Sequence, residues 1–302
     1  MTGATRGLGK VAALKLLRDA PDVHLVVMAR SNEATLAEEL REQSGNPHVS
    51  GTMADLASLD SIRVAAARLV ADLRQETYPP LAGFVGNAGL QLVTATQATV
   101  DGIEATFAVN VLANHVLIDA LRAEFSPSAR IVLTTSDTHF GDFTHTLGMV
   151  PAPHWDEPSQ LATPGAAKNA QTRAAGRTAY STSKLAVIYL VHALARRLPP
   201  QIEAFSFNPG LVPGTGLVRD AGPISRFAFR WLMPALTITP YARTLEVSGA
   251  DLAVAVIGPA AGESGSYING TGVERSSPES YDSHREDALW DELVRLGARL
   301  RR

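Results

Sequence analysis

Apolar positions along the chain fall into two alternating kinds of run. Short continuous runs, of strand length and character, lie at residues 23–29, 48–53, 81–86, 130–135, 202–207 and 266–269. Between them come longer stretches with the mixed apolar and polar pattern of helices: 10–18, one ending near Arg41, 59–76, 101–124, 185–198, 242–257 and 285–302. Ser31 or Asn32 is placed to cap the second of these helices, and Ser58 the third. Strands that alternate with helices throughout predict an α/β fold, a doubly wound parallel sheet of Rossmann type with helices on both faces. No internal repeat or linker interrupts the pattern, so residues 1–302 are expected to form one domain.

Three stretches break the alternation. The first helix follows a glycine-rich turn at residues 2–9, which leaves no room for a strand ahead of it. Residues 137–176 are rich in Pro, Gly, Thr and Ala, and a loop of that length inside a domain is usually functional or mobile. Residues 216–240 contain an apolar, aromatic segment at 224–236 with Arg226 and Arg230. That segment suits a cover over a substrate, a membrane-surface contact or ordinary core, and the first is preferred.

Composition narrows the class of protein. An apolar content of 45%, a charged content of 19% and a net charge of −3 describe a globular chain with no attraction to nucleic acid or an anionic membrane. The chain has no cysteine, which excludes disulfides and thiolate chemistry and agrees with a cytoplasmic location. No run approaches the ~18 apolar residues of a transmembrane helix, and no secretory signal is expected. His139, His145 and His154 have no regular spacing, so no metal is expected.

Chemistry enters with Tyr180 and Lys184, four residues apart at the start of the 185–198 run. On a helix they share a face one turn apart. A cation beside a tyrosine favours the phenolate and lowers a pKa normally near 10, so that the phenol can exchange a proton with an alcohol or carbonyl oxygen. The turn Thr2-Gly3-Ala4-Thr5-Arg6-Gly7-Leu8-Gly9, leading into a helix, would let backbone amides approach a pyrophosphate. Arg30 closes the first strand run, at the position where dinucleotide folds choose between a ribose hydroxyl and a 2′-phosphate. Together with Arg6 it favours NADP over NAD. Asp55, next to Leu56, is placed to meet an adenine amine or simply to shape a turn. Asn87-Ala88-Gly89 ends the third run as a turn or a close approach to a ligand, and Asn110 is a polar residue on an otherwise apolar helix. Ser136 stands at the carboxyl end of the fourth run, the edge where open parallel sheets bind ligands. Pro209-Gly210 follows the fifth run and leads through Val212 to Thr215.

Together and in order, these motifs resemble the short-chain dehydrogenase/reductase family. Thr2, Gly3, Gly7 and Gly9 match its Thr-Gly-x-x-x-Gly-x-Gly pattern, Asn87-Ala88-Gly89 its Asn-Ala-Gly, and Tyr180 and Lys184 its Tyr-x-x-x-Lys. The resemblance implies that Tyr180 protonates a carbonyl oxygen as NADPH delivers hydride, or acts as base in reverse. Lys184 would lower the pKa of Tyr180 and hold the nicotinamide ribose. Ser136 would hydrogen-bond the reacting oxygen, and Asn110 would anchor a proton-relaying water. Gly3, Thr5, Arg6, Gly7, Leu8 and Gly9 would cradle the cofactor phosphates, with Arg30 at the 2′-phosphate and Asp55 and Leu56 at the adenine. Asn87, Ala88 and Gly89 would pass beside the cofactor, and Pro209, Gly210, Val212 and Thr215 would flank the nicotinamide. The implied partner is a small-molecule carbonyl or alcohol.

Departures from the family pattern carry expectations of their own. The missing first strand would be central, so its loss would leave unpaired backbone groups costing about 1–3 kcal/mol each if buried. The natural chain is therefore expected to begin upstream of Met1. The long stretch between Ser136 and Tyr180, with His139 three residues after the serine, resembles the retinol dehydrogenase-like and protochlorophyllide reductase-like branches. Without a cysteine, protochlorophyllide chemistry is not expected. The insertion and the 227–231 segment are expected to enclose a hydrophobic substrate. The Tyr180 helix is apolar nearly all round, which suits either a homo-oligomer interface or a buried position. The alternative function is a non-catalytic NADP-binding regulator on the same fold.

Overall fold

The computed structural model describes residues 1–212, 242–260 and 262–298. Thr215 and the 216–240 segment lie outside the described residues. In chain order the elements are α1 (Gly7–Asp19), β1 (Leu25–Ala29), α2 (Glu33–Ser44), β2 (Val49–Met53), α3 (Leu59–Arg74) and β3 (Leu81–Gly86). Then follow α4 (Ala105–Phe107), a π turn (Ala108–Leu112), α5 (Ala113–Leu121), β4 (Phe125–Thr134), α6 (Phe143–Thr146), α7 (Pro158–Leu161) and α8 (Arg173–Arg197). The chain continues with β5 (Glu203–Asn208), α9 (Leu245–Ile257), β6 (Tyr267–Asn269), β7 (Gly272–Glu274) and α10 (Ser283–Gly297). All six strand runs in the sequence form strands. The short β7, exposed along its length, had no apolar signature to announce it.

Strands β3-β4-β5-β6 pair in parallel and β7 closes the edge antiparallel to β6, while β1 and β2 form a parallel pair. What joins the two parts is the start of the chain. Thr2 bridges Met28 of β1 and Gly86 of β3 in parallel sense. Met28 N donates to Met1 O at 2.9 Å, and Thr2 N to Val85 O at 2.9 Å. The expected first strand is thus reduced to a bridge, which satisfies the strand ends nearest the glycine turn and seats that turn between β1 and β3.

Pleating divides the core between the two faces. In β4, Ile131 and Leu133 join α3, α5, α8 and α10, whereas Val132 joins α1, α2 and α9 with Phe205 and Phe207 of β5. Caps follow the sequence where a hydroxyl is available. Ser58 accepts from Ser61 N at the start of α3, and Thr172 from Ala175 N at the start of α8. Asn32 occupies the N-cap position of α2 in the left-handed conformation, and its side chain caps nothing.

The insertion at 137–176 folds onto the outer face of α8. His154 exchanges hydrogen bonds with Thr182 Oγ1, Trp155 packs edge-on against Tyr189 with ring centroids 4.7 Å apart, and Glu104 N donates to Ala162 O. Helix α10 covers the same helix further along, with Leu289, Leu293 and Leu296 in the core. The apolar run of α8 is therefore buried within its own chain, and Leu185, Val187, Ile188 and Val191 expose no surface.

Candidate functional site

The carboxyl ends of β3, β4 and β5 and the first half of α8 converge on Tyr180. Helix α8 places Tyr180 and Lys184 one turn apart, with the lysine Nζ 5.6 Å from the tyrosine ring centre. Both side chains are buried. The helix is fastened to the end of β4: Lys184 Nζ donates to Thr134 O at 2.9 Å, and Thr135 Oγ1 to Lys184 O at 2.7 Å. Ser136, the next residue, stands close enough to the Tyr180 phenol to favour its ionised form. Its own Oγ accepts from Thr138 N at 3.3 Å, so the hydroxyl proton is free to face the tyrosine.

Electrostatics here differ from the expectation that the lysine lowers the tyrosine pKa. Burial pushes Tyr180 up to about 12, and the Ser136 hydroxyl works the other way without cancelling it. Lys184 is itself lowered to about 8 by burial, and it directs its ammonium at the Thr134 carbonyl. With its ammonium on the Thr134 carbonyl, Lys184 is not among the groups that lower Tyr180, which is held as a neutral phenol over the physiological range. A phenol in that state is a proton donor.

Asn110 sits in the π turn, a local widening of the helix that recurs at functional positions. Its amide clamps the loop after β3, accepting from Leu90 N at 2.9 Å and donating to Leu90 O at 3.0 Å. It also donates to Ser183 Oγ at 2.9 Å, and Ser183 in turn donates to Tyr180 O at 2.7 Å. The Asn110 carbonyl accepts from Asn114 Nδ2 at 2.9 Å. Asn110 thus holds the tyrosine turn by its side chain. His115, one residue beyond Asn114, is buried with neither ring nitrogen partnered among the described residues, and burial lowers it to about 4.

The glycine turn meets this site through the Asn-Ala-Gly stretch. Asn87 Nδ2 donates to Gly3 O at 3.1 Å and Ala88 N to Thr2 Oγ1 at 3.1 Å, while Thr134 Oγ1 donates to Asn87 Oδ1 at 3.3 Å. Gly3 has φ +72°, and a Cβ there would sit 2.7 Å from Ala88 N. A Cβ on Gly9 would fall 2.0 Å from Gly3 O, so only glycine allows the helix to start this close to the turn. A Cβ on Gly89 would be 3.4 Å from both Asn110 Oδ1 and Lys184 Nζ, which puts the third motif residue beside the lysine.

These residues fit a dinucleotide. Helix α1 begins at Gly7 with no side-chain cap and no acidic residue in its first turn, and space is open beside Gly7. Its free amides and dipole favour a phosphate, and Leu8 and Gly9 are buried behind them. Thr5, Arg6 and Arg30 are exposed, and among the described residues neither arginine pairs with a carboxylate. Asp55 shapes a turn: its Oδ1 accepts from Ala57 N at 3.0 Å, and its own N donates to Ser61 Oγ. Leu56 is half-buried against the core. On the other side, Gly210 has φ +74° and its N donates to Asn208 Oδ1 at 3.2 Å; Pro209 O accepts from Ser248 Oγ, and Val212 is buried.

Sequence reasoning missed the residues that brace these parts. Thr134, Thr135 and Asn208 are ordinary strand-end residues, and only the structure reveals that their side chains tie Asn87, α8 and Asp137 N, respectively, to the sheet edge. Among the described residues, no three histidines or carboxylates are placed to hold a metal ion. No helix among them is long and apolar enough to cross a membrane.

Known proteins share sequence and fold with this chain. A family model described as short chain dehydrogenase matches residues 1–146. Human retinol dehydrogenase 13 is 30% identical over 301 residues, covering 98% of this chain and 83% of its own. Human polyprenol dehydrogenase is 27% identical over 305 residues, with 98% and 83% covered. The structure of an NADPH-bound carbonyl reductase from chicken fatty liver superposes with a TM-score of 0.61 over 91% of this chain and 96% of that one, at 18% identity, a likeness of fold. By its relatives and its sheet, the chain belongs to the short-chain dehydrogenase/reductase family, oxidoreductases that work with a nicotinamide dinucleotide.

Proposed function

We propose that the protein is an NADP(H)-dependent oxidoreductase that interconverts a carbonyl and an alcohol, with Tyr180, Ser136, Lys184 and Asn110 as its working residues. The observation that carries this is the buried, neutral Tyr180 phenol beside Ser136, with Lys184 one helix turn further along α8. NADPH, when bound, supplies the hydride. Ser136 hydrogen-bonds the carbonyl oxygen and orients it, and the Tyr180 phenol gives that oxygen its proton. The Lys184 cation then faces the phenolate left behind, and Asn110 and Ser183 hold the turn so that the phenol keeps its place. The neutral phenol is the proton donor in reduction, and its phenolate the acceptor in oxidation.

The phosphate-binding end would be Gly3, Thr5, Arg6, Gly7, Leu8 and Gly9. Arg6 and Arg30 would meet the 2′-phosphate, and Asp55 and Leu56 the adenine. Asn87, Ala88, Gly89, Pro209, Gly210, Val212 and Thr215 would line the remainder. Two guanidiniums without carboxylate partners support NADP over NAD. Arg30→Asp is expected to shift preference toward NADH; an unchanged ratio of kcat/KM for the two cofactors would contradict the assignment.

A hydrophobic substrate is part of the same proposal. Its support is the apolar 224–236 segment and the names of two relatives, a retinol and a polyprenol dehydrogenase. NADPH oxidation across a carbonyl panel tests it: lipophilic ketones and aldehydes should turn over faster than small polar ones, and the reverse order would refute it. A cytoplasmic location rests on the cysteine-free composition.

A further inference from the structure

His139 follows Ser136 by one 3-10 turn and is fully buried. Its Nδ1 lies 2.6 Å from the Ser136 carbonyl oxygen, and its Nε2 lies 3.1 Å from the backbone N of Ser277. A backbone N–H can only donate, so Nε2 must be the bare nitrogen. Nδ1 therefore carries the proton and donates it to Ser136 O. The ring's tautomer is fixed from outside, by a segment about 140 residues further along the chain.

The peptide around Ser136 is held at two further points. Tyr267 of β6 donates its hydroxyl to Asp137 Oδ1 at 2.7 Å and packs edge-on against the His139 ring, with centroids 5.1 Å apart. Asp137 N donates to Asn208 Oδ1 at 3.2 Å. The serine carbonyl itself is met by the His139 ring at 2.6 Å and, less closely, by the His139 backbone N at 3.2 Å; the ring bond is the one a substitution removes.

We propose that His139 is a positioning residue: its Nδ1–H anchors the Ser136 carbonyl and so aims the serine hydroxyl at Tyr180, while the Ser277 amide locks the ring in the tautomer that can do this. The role rests on the carbonyl–alcohol reaction proposed for Ser136 and Tyr180. Asn and Gln divide the two bonds. In His139→Asn the amide N–H can take the place of Nδ1–H, and in His139→Gln the amide oxygen can take the place of Nε2. With kcat expressed per NADPH-binding site, so that only folded enzyme is counted, His139→Gln and His139→Phe should lose roughly 10–100-fold. His139→Asn should stay within about threefold of wild type, and KM should change little in all three.

A readout independent of turnover is the histidine ring nitrogen spectrum of the full-length 15N-labelled protein, with the signal assigned by its loss in His139→Asn. The expected result is an Nδ1-protonated, Nε2-bare ring from about pH 8 to about pH 5. The titratable groups facing the ring are Asp137 on its own turn, Asp142 and His145 at α6, and the Tyr267 phenol on β6. An Nε2-protonated ring, or titration near pH 6.5, would overturn the proposal. So would equal kcat in Asn and Gln, or losses that follow melting temperature alone. If wild-type enzyme that binds NADPH turned over no carbonyl, the proposed function would fall and the positioning role with it. If it turned over normally with equal kcat in all three variants, only the positioning role would fall.

Discussion

Lys184 and Tyr180 are both buried, and burial moves their protons in opposite senses: the phenol is held to about 12 and the ammonium is loosened to about 8. The pair therefore has its working charge state, neutral phenol and ammonium, below about pH 8. The pH profile of kcat/KM for carbonyl reduction should carry a descending limb near 8, and a plateau extending past about pH 9 would contradict it. The two buried histidines act in the acid range. His115 and His139 are both lowered from 6.5 to about 4. As pH falls below 6.5 the unfolded chain takes up protons that the native rings refuse, so stability is lost between about 6.5 and 4 and is fully present above that window. The loss is of order 3 kcal/mol for each ring. Urea melts at pH 7 and pH 4.5 measure it, and His139→Asn should remove about half of the difference. At Gly9 the prediction is steric. A methyl 2.0 Å from the Gly3 carbonyl forces the turn apart, so Gly9→Ala should lower stability by about 1–3 kcal/mol and weaken NADPH binding in a fluorescence titration.

Elements were legible wherever an apolar run met an ordinary terminator. The six strand runs stand where the pattern put them, within two residues at every end but the start of β4, whereas helix ends miss by more, and α8 begins at Arg173, well ahead of the apolar run at 185. The longest expected helix, 101–124, breaks into α4, the π turn, α5 and a 3-10 end. Its apolar pattern continues across the π turn, and the extra residue there is set by Asn110 reaching Leu90 and Ser183, which no local signal encodes. β4 begins at Phe125, five residues early, because a register shift opposite Leu81 and Gly83 lets a polar stretch enter the sheet. The candidate site was legible only as residue types in order, and the structure brings Tyr180, Lys184, Ser136 and Asn110 into one region. Its bracing was not legible, because Thr135, Asn208 and Tyr267 act across 50 to 130 residues of sequence. At this scale Ser58→Ala is the simple test: removing the cap of α3 should cost about 1 kcal/mol in a thermal or urea melt, without loss of activity.

Over the whole molecule, α8 has the sheet on one side and, on the other, the insertion and α10. The joint between α8 and α10 combines Leu289, Leu293 and Leu296 with a charged seam. There Glu286 accepts from His192 and Arg196, and Asp287 from Arg197. Leu293→Ala should cost about 2–5 kcal/mol, and because α8 carries Tyr180 the variant should also lose activity at temperatures where wild type retains it. The same cover bears on the oligomer expectation, since the apolar face of α8 is spent inside the chain. The molecule's organisation therefore serves one helix turn, held by β4 beneath, by Asn110 at its side and by the serine turn opposite. The most direct measurement of that account is NADPH oxidation with a panel of lipophilic carbonyls, comparing wild type with Tyr180→Phe. Tyr180→Phe should lose roughly 10²–10⁴-fold in kcat with NADPH binding unchanged. Turnover by Tyr180→Phe at the wild-type rate would contradict it.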